Sequence, residues 1–97
     1  MNGVELIAAE RQRQIDVEGW SALHDRQWTT DELALAAACY AVPEEVRRAE
    51  SKSPVKRYWP FGPAWWKPTP HDRIRELVKA GALIAAEIDR LQRISAT

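Results

Sequence analysis

The chain has 97 residues, 45 % of them hydrophobic and 29 % charged, which is the composition of one small globular domain. Its formal net charge of zero lacks the overall excess of lysine and arginine carried by proteins that bind long nucleic acids. No apolar run reaches membrane-spanning length, the N-terminal residues contain no signal-peptide core, and the one cysteine, Cys39, can form no disulfide within the chain. We therefore expect a cytoplasmic protein with neither a membrane nor long nucleic acid as its partner.

The first predicted helix spans Val4 to Glu18 and ends before Gly19, a residue type that readily adopts the left-handed conformation found at helix ends. Helical spacing predicts an inward face made of Val4, Ile7, Ala8 and Ile15. Arg11 and Glu18 fall in the middle of this face, with Gln14 at its edge. Because unpaired polar groups are costly to bury, two interpretations stay open. The polar residues form a buried or intersubunit salt bridge, or Arg11 and Gln14 face a ligand in a pocket between subunits.

The second predicted helix begins after Thr29, which can form a capping box with Glu32, and Pro43 ends it. A further short helix is predicted within residues 43–50. The second helix is apolar on two opposite sides, one formed by Leu33, Ala36, Ala37 and Tyr40 and the other by Leu35, Cys39 and Val42. A helix that is apolar all round needs neighbours on all sides.

Residues 51–69, which we call the Pro/Trp segment, interrupt the helical pattern. The stretch WPFGPAWWKPTP, residues 59–70, contains three of the five tryptophans and four of the six prolines, a density that predicts irregular structure. Charge is concentrated in the same part of the chain, because residues 46–67 carry six lysine and arginine side chains against Glu50 alone. Aromatic faces stack on nucleobases and neighbouring cations hold phosphates. The alternative is that this segment plugs the helical bundle or stabilises an oligomer.

The third predicted helix has Thr69 as its N-cap, Pro70 at its first position and Asp72 in its first turn, and it runs to Ile94. Its main apolar stripe consists of Ile74, Leu77, Val78, Gly81, Ile84, Ala85 and Ile88. Leu83 points away from that stripe, so we expect it at a subunit contact or under the Pro/Trp segment. The fold class is therefore all-α: a single small bundle of three main helices, completed by homo-oligomerisation, because three helices cannot cover all these apolar sides.

The blocks ERQRQIDVEGW, HD, DELALAAACYAV, WPFGPAWWKP and RELVKAGALIAAEIDRL, in this order, resemble a family of small proteins of tailed phages and prophages. The resemblance covers nearly the whole chain and implies a helical fold in a phage-infected bacterium. The helices DELALAA and KAGALIAAEI are also similar to those of MazG-type nucleotide pyrophosphohydrolases, which are all-α oligomers. That second resemblance implies Mg²⁺-dependent hydrolysis of a nucleoside triphosphate.

Catalytic residues are sparse in the sequence. The E-x-x-E pair of the MazG-type enzymes is absent, and Glu18, Asp25, Glu32 and Glu87 would need an arrangement unlike that of the family. Cys39 lies among alanines in mid-helix, where a buried and inert thiol is the usual state. His24 and His71 each precede an aspartate, but two histidines and one cysteine do not make a zinc site.

We therefore predict a binding protein with no cofactor, no metal and no catalytic residue. Its ligand is a small anionic nucleotide, and in a phage this would be a host immune signal such as a cyclic dinucleotide or a cyclic ADP-ribose derivative, sequestered as an anti-defence measure. The alternatives are a MazG-like pyrophosphohydrolase and a protein that inhibits a host factor through its tryptophans. The candidate ligand-binding residues are Arg11, Gln14, Glu18, Trp20, His24, Arg57, Trp59, Phe61, Trp65, Trp66 and Lys67.

Overall fold

A computed structural model describes residues 1–18, 31–49 and 54–96 of the chain. These residues form helices α1 (Gly3–Glu18), α2 (Glu32–Ala41), α3 (Glu44–Arg48), α4 (Pro54–Tyr58) and α5 (Arg73–Ala96), with one turn of 3₁₀ helix at Pro63–Trp65. Within the described ranges there is no β-strand, so the predicted all-α fold is confirmed. None of the helices in these ranges is long and apolar enough to cross a membrane.

The long helix α5 begins three residues later than the sequence predicts. The Asp72 carboxylate accepts a hydrogen bond from the Arg75 backbone N–H at 3.1 Å, which makes Asp72 the N-cap. Thr69 instead closes a tight turn before the helix, since its carbonyl accepts from the Asp72 N–H at 2.8 Å. Pro70 therefore lies in this turn rather than at the first helical position. The capping box predicted at Thr29 lies outside the described residues.

The Pro/Trp segment contains more regular structure than the sequence predicts. Pro54 is the first residue of α4 and Pro63 the first of the 3₁₀ turn. Proline is tolerated at the first position of a helix because the N–H that it lacks would have no intrahelical partner there. Trp66 has an extended backbone, and residues 66–69 belong to no helix and lead into the turn before α5.

The core lies between α2 and α5, which run antiparallel. Arg73, at the start of α5, donates to the carbonyl of Tyr40 at the end of α2 at 3.1 Å. At the other end, Arg90 of α5 lies close enough to Glu32 for their charges to interact. The buried apolar residues between the two helices are Leu33, Ala36, Ala37, Tyr40, Ala80, Leu83 and Ala86. Four of these seven are alanines, so the two helix backbones can approach closely.

The predicted inward face of α5 is wrong for this chain. Leu83 is only 2 % exposed and belongs to the core, whereas Leu77, Ile84 and Ile88 are about half exposed. The expectation that Leu83 lies under the Pro/Trp segment is closer, because Trp59, Phe61 and Trp66 pack against the cluster that contains it. Charged residues on the buried side of α5 explain why the sequence predicts the wrong inward face. The face of α5 towards α2 carries Glu76, Glu87 and Arg90, all buried and ion-paired, so it does not look like a core face in the sequence.

Helix α1 is also rotated relative to the prediction. Val4 and Ala8 are exposed, while Glu10 and Gln14 are buried. The helix packs on α5 at Gly81, where an added Cβ would lie only 2.5 Å from Cδ1 of Ile7. The absence of a side chain at Gly81 thus lets Ile7 rest directly on the α5 backbone.

Candidate anion-binding site

An open pocket with a volume of about 240 Å³ lies between α1, α5, the end of α2 and the Pro/Trp segment. Four cationic side chains and one carboxylate line it: Arg13, Lys67, Arg75, Lys79 and Glu10. Its remaining walls are formed by Gln14, Tyr40, Trp65 and Leu83. The lining therefore has an excess of positive charge, although the whole chain is neutral.

Two of the cations share the single carboxylate. Arg13 binds Glu10 with both Nε and Nη2, each at 2.8 Å, and Arg75 of α5 reaches Glu10 Oε1 at 2.7 Å. Glu10 is almost completely buried, and the two guanidinium groups supply the charge-assisted hydrogen bonds that a buried carboxylate requires. This cluster ties α1 to α5 and leaves more positive than negative charge at the pocket wall.

The hydrogen bonds also affect the ionisation of Glu10. Burial by itself raises the pKa of this carboxyl, but the hydrogen bonds from Arg13 and Arg75, with the attraction of their charges, outweigh burial and lower the pKa below its ordinary value of 4.5. Glu10 is therefore ionised at neutral pH and holds both arginines in place.

Gln14 extends this network by one residue. Its Nε2 donates to Glu10 Oε2 at 3.2 Å, which fixes the orientation of the side-chain amide, since a carboxylate can only accept. The residue is 2 % exposed, and its Oε1 is a buried acceptor that has no hydrogen-bond donor among the described residues. An acceptor in this state favours a ligand or water that brings a donor to it.

The outer wall of the pocket combines an aromatic ring with two lysines. Trp65 is 54 % exposed, and Lys67 Nζ lies 5.8 Å from the centre of its ring. Lys79 donates to the Lys67 carbonyl at 2.8 Å, and its Nζ lies 5.5 Å from the Tyr40 ring centre. The lysines are thus arranged by cation–π contacts and a backbone hydrogen bond next to an exposed aromatic face.

The other aromatic residues of the Pro/Trp segment pack inward. Trp66 lies 4.8 Å from the Tyr40 ring and 4.9 Å from the Trp59 ring, and Phe61 lies 5.5 Å from Trp59, all measured between centroids. We call these four residues the aromatic cluster. The Trp59 indole N–H donates to the Gly62 carbonyl, and the Lys67 backbone N–H donates to the Tyr40 hydroxyl, both at 3.2 Å. The cluster anchors the segment on the core, which is the packing role considered as the alternative for these aromatics.

The predicted ligand-binding residues are therefore divided between two places. Gln14, Trp65 and Lys67 meet at the pocket, whereas Trp59, Phe61 and Trp66 belong to the aromatic cluster. Arg11 lies towards Asp89 of α5, with 3.9 Å between Nη2 and Oδ2, and Arg57 is exposed. Glu18 is the last residue of α1, and Trp20 and His24 lie outside the described residues.

Six pocket residues were missed by sequence reasoning: Glu10, Arg13, Tyr40, Arg75, Lys79 and Leu83. The sequence spacing does place four of them in pairs on a helix face. Arg75 and Lys79 are four residues apart on α5, and Glu10 and Arg13 are three apart on α1. Each pair thus shares a helix face. Nothing in the sequence indicates that these two faces meet.

No three histidine, cysteine, aspartate or glutamate side chains within residues 1–18, 31–49 and 54–96 come together as metal ligands. Cys39 is fully buried, and burial raises the pKa of its thiol from 9.0 despite the nearby positive charge of Arg47. The predicted inert thiol agrees with this environment.

Comparisons of the chain with models of known protein families, with curated proteins and with solved structures give no match. The class of ligand that suits the pocket is therefore inferred from the residues that line it. Cations at one wall, an exposed indole at another and a buried acceptor behind them suit a ligand that combines negative charge with a flat ring.

Proposed function

We propose that the protein binds a small anionic nucleotide in the pocket between α1, α5 and the Pro/Trp segment, without chemical conversion. One observation carries the proposal: Arg13, Lys67, Arg75 and Lys79 line one pocket that contains a single carboxylate and the exposed ring of Trp65. A phosphate placed among these cations would gain charge-assisted hydrogen bonds, and a base could stack on the indole.

The resemblance to small phage and prophage proteins suggests the purpose of such binding. We propose that the cargo is a host immune signal of the cyclic dinucleotide or cyclic ADP-ribose type, which the protein sequesters in the cytoplasm of the infected cell. A volume of about 240 Å³ suits one nucleotide unit, so a dinucleotide would leave its second half outside the pocket. Self-association would let two chains present two such pockets, and a homo-oligomer is part of the proposal.

Isothermal titration calorimetry with a panel of cyclic and linear nucleotides tests this proposal. The wild-type protein should bind at least one member, and its affinity should fall as salt is added, because phosphate contacts are screened. Lys67→Gln and Lys79→Gln should each weaken binding about 10- to 150-fold, as expected for loss of one charge-assisted hydrogen bond. Arg48→Gln is the matched control, since Arg48 is an exposed cation on α3 that does not line the pocket.

Two results would overturn the proposal. The first is a wild-type protein that binds no nucleotide of the panel at low salt. The second is binding that Arg48→Gln weakens as much as Lys67→Gln or Lys79→Gln, because the attraction would then come from diffuse charge rather than from the pocket. Release of pyrophosphate from a nucleoside triphosphate in the presence of Mg²⁺ would replace simple binding with hydrolysis.

A further inference from the structure

Helix α5 exposes a continuous row of large aliphatic side chains. We call Ile74, Leu77, Ile84, Ile88 and Leu91 the apolar strip, since helical spacing places all five within one face of α5. Their exposed fractions lie between 47 % and 67 %. This is most of the face that the sequence predicts as the core side of the helix.

By helical spacing, no charged residue of α5 between Ile74 and Leu91 falls on the face of the apolar strip. Glu76, Glu87 and Arg90 are buried in ion pairs, and Arg75 and Lys79 line the pocket. The strip therefore runs from residue 74 to residue 91 without a charged side chain, a length of about 25 Å at 1.5 Å per residue.

The area of the strip is large for a chain of this size. Five half-exposed aliphatic side chains present on the order of 500 Å² of apolar surface, in the range where patches on monomers mark interaction sites. One partner of a standard protein interface contributes about 800 Å², so the strip would supply more than half of it. Polar residues at its edges would supply the rest.

The spacing of the strip is self-complementary. Residues 74, 77, 81, 84, 88 and 91 alternate steps of three and four, which is the spacing of a seam between two paired helices. In an antiparallel pair, Ile74 lies opposite Leu91 of a second copy, and Leu77 lies opposite Ile88. Ile84 would then face Gly81 of the second copy, a position that Ile7 of α1 covers, so Ile84 would pack against that Ile7 and not against the α5 backbone.

From the strip's spacing, area and lack of charge we infer that it binds a second copy of this chain, with the two α5 helices antiparallel in a symmetric dimer. A two-fold arrangement brings each surface against itself, so an uncharged strip avoids the like-charge repulsion that opposes such pairing. Antiparallel packing also opposes the two helix dipoles, which a parallel pair would align. The inference rests on the proposed self-association but not on ligand binding.

Light scattering on the purified full-length chain is the first test. The wild-type mass should be twice the 11.1 kDa of one chain, and Ile84→Glu should lower it to that of a monomer. Val17→Glu is the matched control, because Val17 is 71 % exposed on α1 and outside the strip, so its mass should stay that of the dimer. A monomeric wild type, or an Ile84→Glu variant that remains dimeric, would overturn the inference.

Disulfide cross-linking tests the direction of pairing and does not depend on the folding of Ile84→Glu. A mixture of Leu77→Cys and Ile88→Cys should form a covalent dimer under oxidising conditions, and neither variant alone should do so. The wild type serves as the control, since its Cys39 is fully buried. Cross-linking of each variant with itself would indicate a parallel pair and contradict the proposed dimer.

The two proposals fail independently. A monomer that still binds nucleotide contradicts the dimer and the self-association in the proposed function, but leaves the nucleotide site intact. A dimer that binds no nucleotide contradicts only the ligand.

Discussion

Arg47 Nη2 lies 2.6 Å from Oε2 of Glu76, in an ion pair in which the glutamate is completely buried. Glu76 also accepts from Arg73 Nη1 at 3.2 Å and from the Thr69 backbone N–H at 3.1 Å. Both arginines donate as well to carbonyl groups at the end of α2, for example Arg47 to the Val42 carbonyl at 2.7 Å. Glu76 thus positions two cations where the negative end of a helix dipole favours them.

Because Glu76 is buried with two arginines, a substitution that removes only its charge should greatly lower the stability of the fold. Glu76→Gln keeps the size of the side chain but leaves two guanidinium groups without their buried negative partner, which costs about 3–5 kcal/mol when a buried pair is broken. Chemical denaturation should show this loss. Glu45→Gln, the same change at an exposed position of α3, should alter stability by less than about 0.5 kcal/mol. Equal stability of the two variants would show that the buried pair does not hold α3 and the end of α2 to α5.

The contact between Gly81 and Ile7 predicts a compensating pair of substitutions. Alanine normally stabilises a helix relative to glycine by about 1 kcal/mol. At position 81, however, its Cβ would lie 2.5 Å from Cδ1 and 2.7 Å from Cγ1 of Ile7, so either the Ile7 side chain or α1 must move. Gly81→Ala should therefore lower the melting temperature.

The double variant Gly81→Ala/Ile7→Ala removes the clash and should be more stable than the sum of the two single changes predicts. Calorimetric melting of the four proteins gives the coupling energy as a double-mutant cycle. Additive effects would mean that α1 does not pack on α5 at this position.

These examples also show what sequence reasoning could and could not supply. The approximate helix positions and the all-α class followed from periodicity and proline. The inward faces did not, because α5 has one aliphatic side and one side of alanines and ion-paired charges, and periodicity favours the aliphatic side. Only tertiary contacts such as that between Arg47 and Glu76 make the second side suitable for burial.

The candidate site was predictable to a similar extent. Trp65 and Lys67 were found because they are close together in a basic, aromatic segment. Arg75 contacts Glu10 across a separation of 65 residues, a pairing for which the sequence has no local signal. Trp65 and Trp66 are adjacent in the sequence, but Trp65 is exposed and Trp66 packs on Tyr40. Only the folded backbone distinguishes their environments.

The lowered pKa of Glu10 predicts a contribution to stability that depends on pH. Because burial is outweighed by the hydrogen bonds from Arg13 and Arg75, the folded protein binds a proton at Glu10 less readily than the unfolded chain. The contribution of Glu10 to stability is therefore complete above the ordinary pKa of 4.5 and is lost as the pH falls through the lower pKa of the folded state.

Glu10→Gln should reduce stability at neutral pH, and its difference from the wild type should shrink as the pH falls below 4.5. Urea denaturation across this range measures that difference. The pKa of Glu44 is lowered too, by the hydrogen bond from Arg47, but Glu44 is present in both proteins and its effect cancels. A difference that is constant with pH would show that the charge of Glu10 is not what holds the two arginines.

The last prediction concerns the two adjacent tryptophans of the Pro/Trp segment. Trp66 contacts Tyr40, Trp59 and the guanidinium of Arg47, so Trp66→Ala should cost about 3–5 kcal/mol, as large truncations in cores do. Trp65 is 54 % exposed, so Trp65→Ala should change the free energy of unfolding by less than about 1 kcal/mol.

The effect of Trp65→Ala should instead appear in ligand binding, where loss of base stacking, worth about 1–3 kcal/mol, weakens affinity roughly 5- to 150-fold. Trp65→Phe keeps an aromatic face and should restore part of the affinity. Denaturation and calorimetry on the three variants separate the two roles. If Trp65→Ala is as destabilising as Trp66→Ala, both tryptophans serve packing, and if it changes neither stability nor binding, the nucleotide does not stack on Trp65.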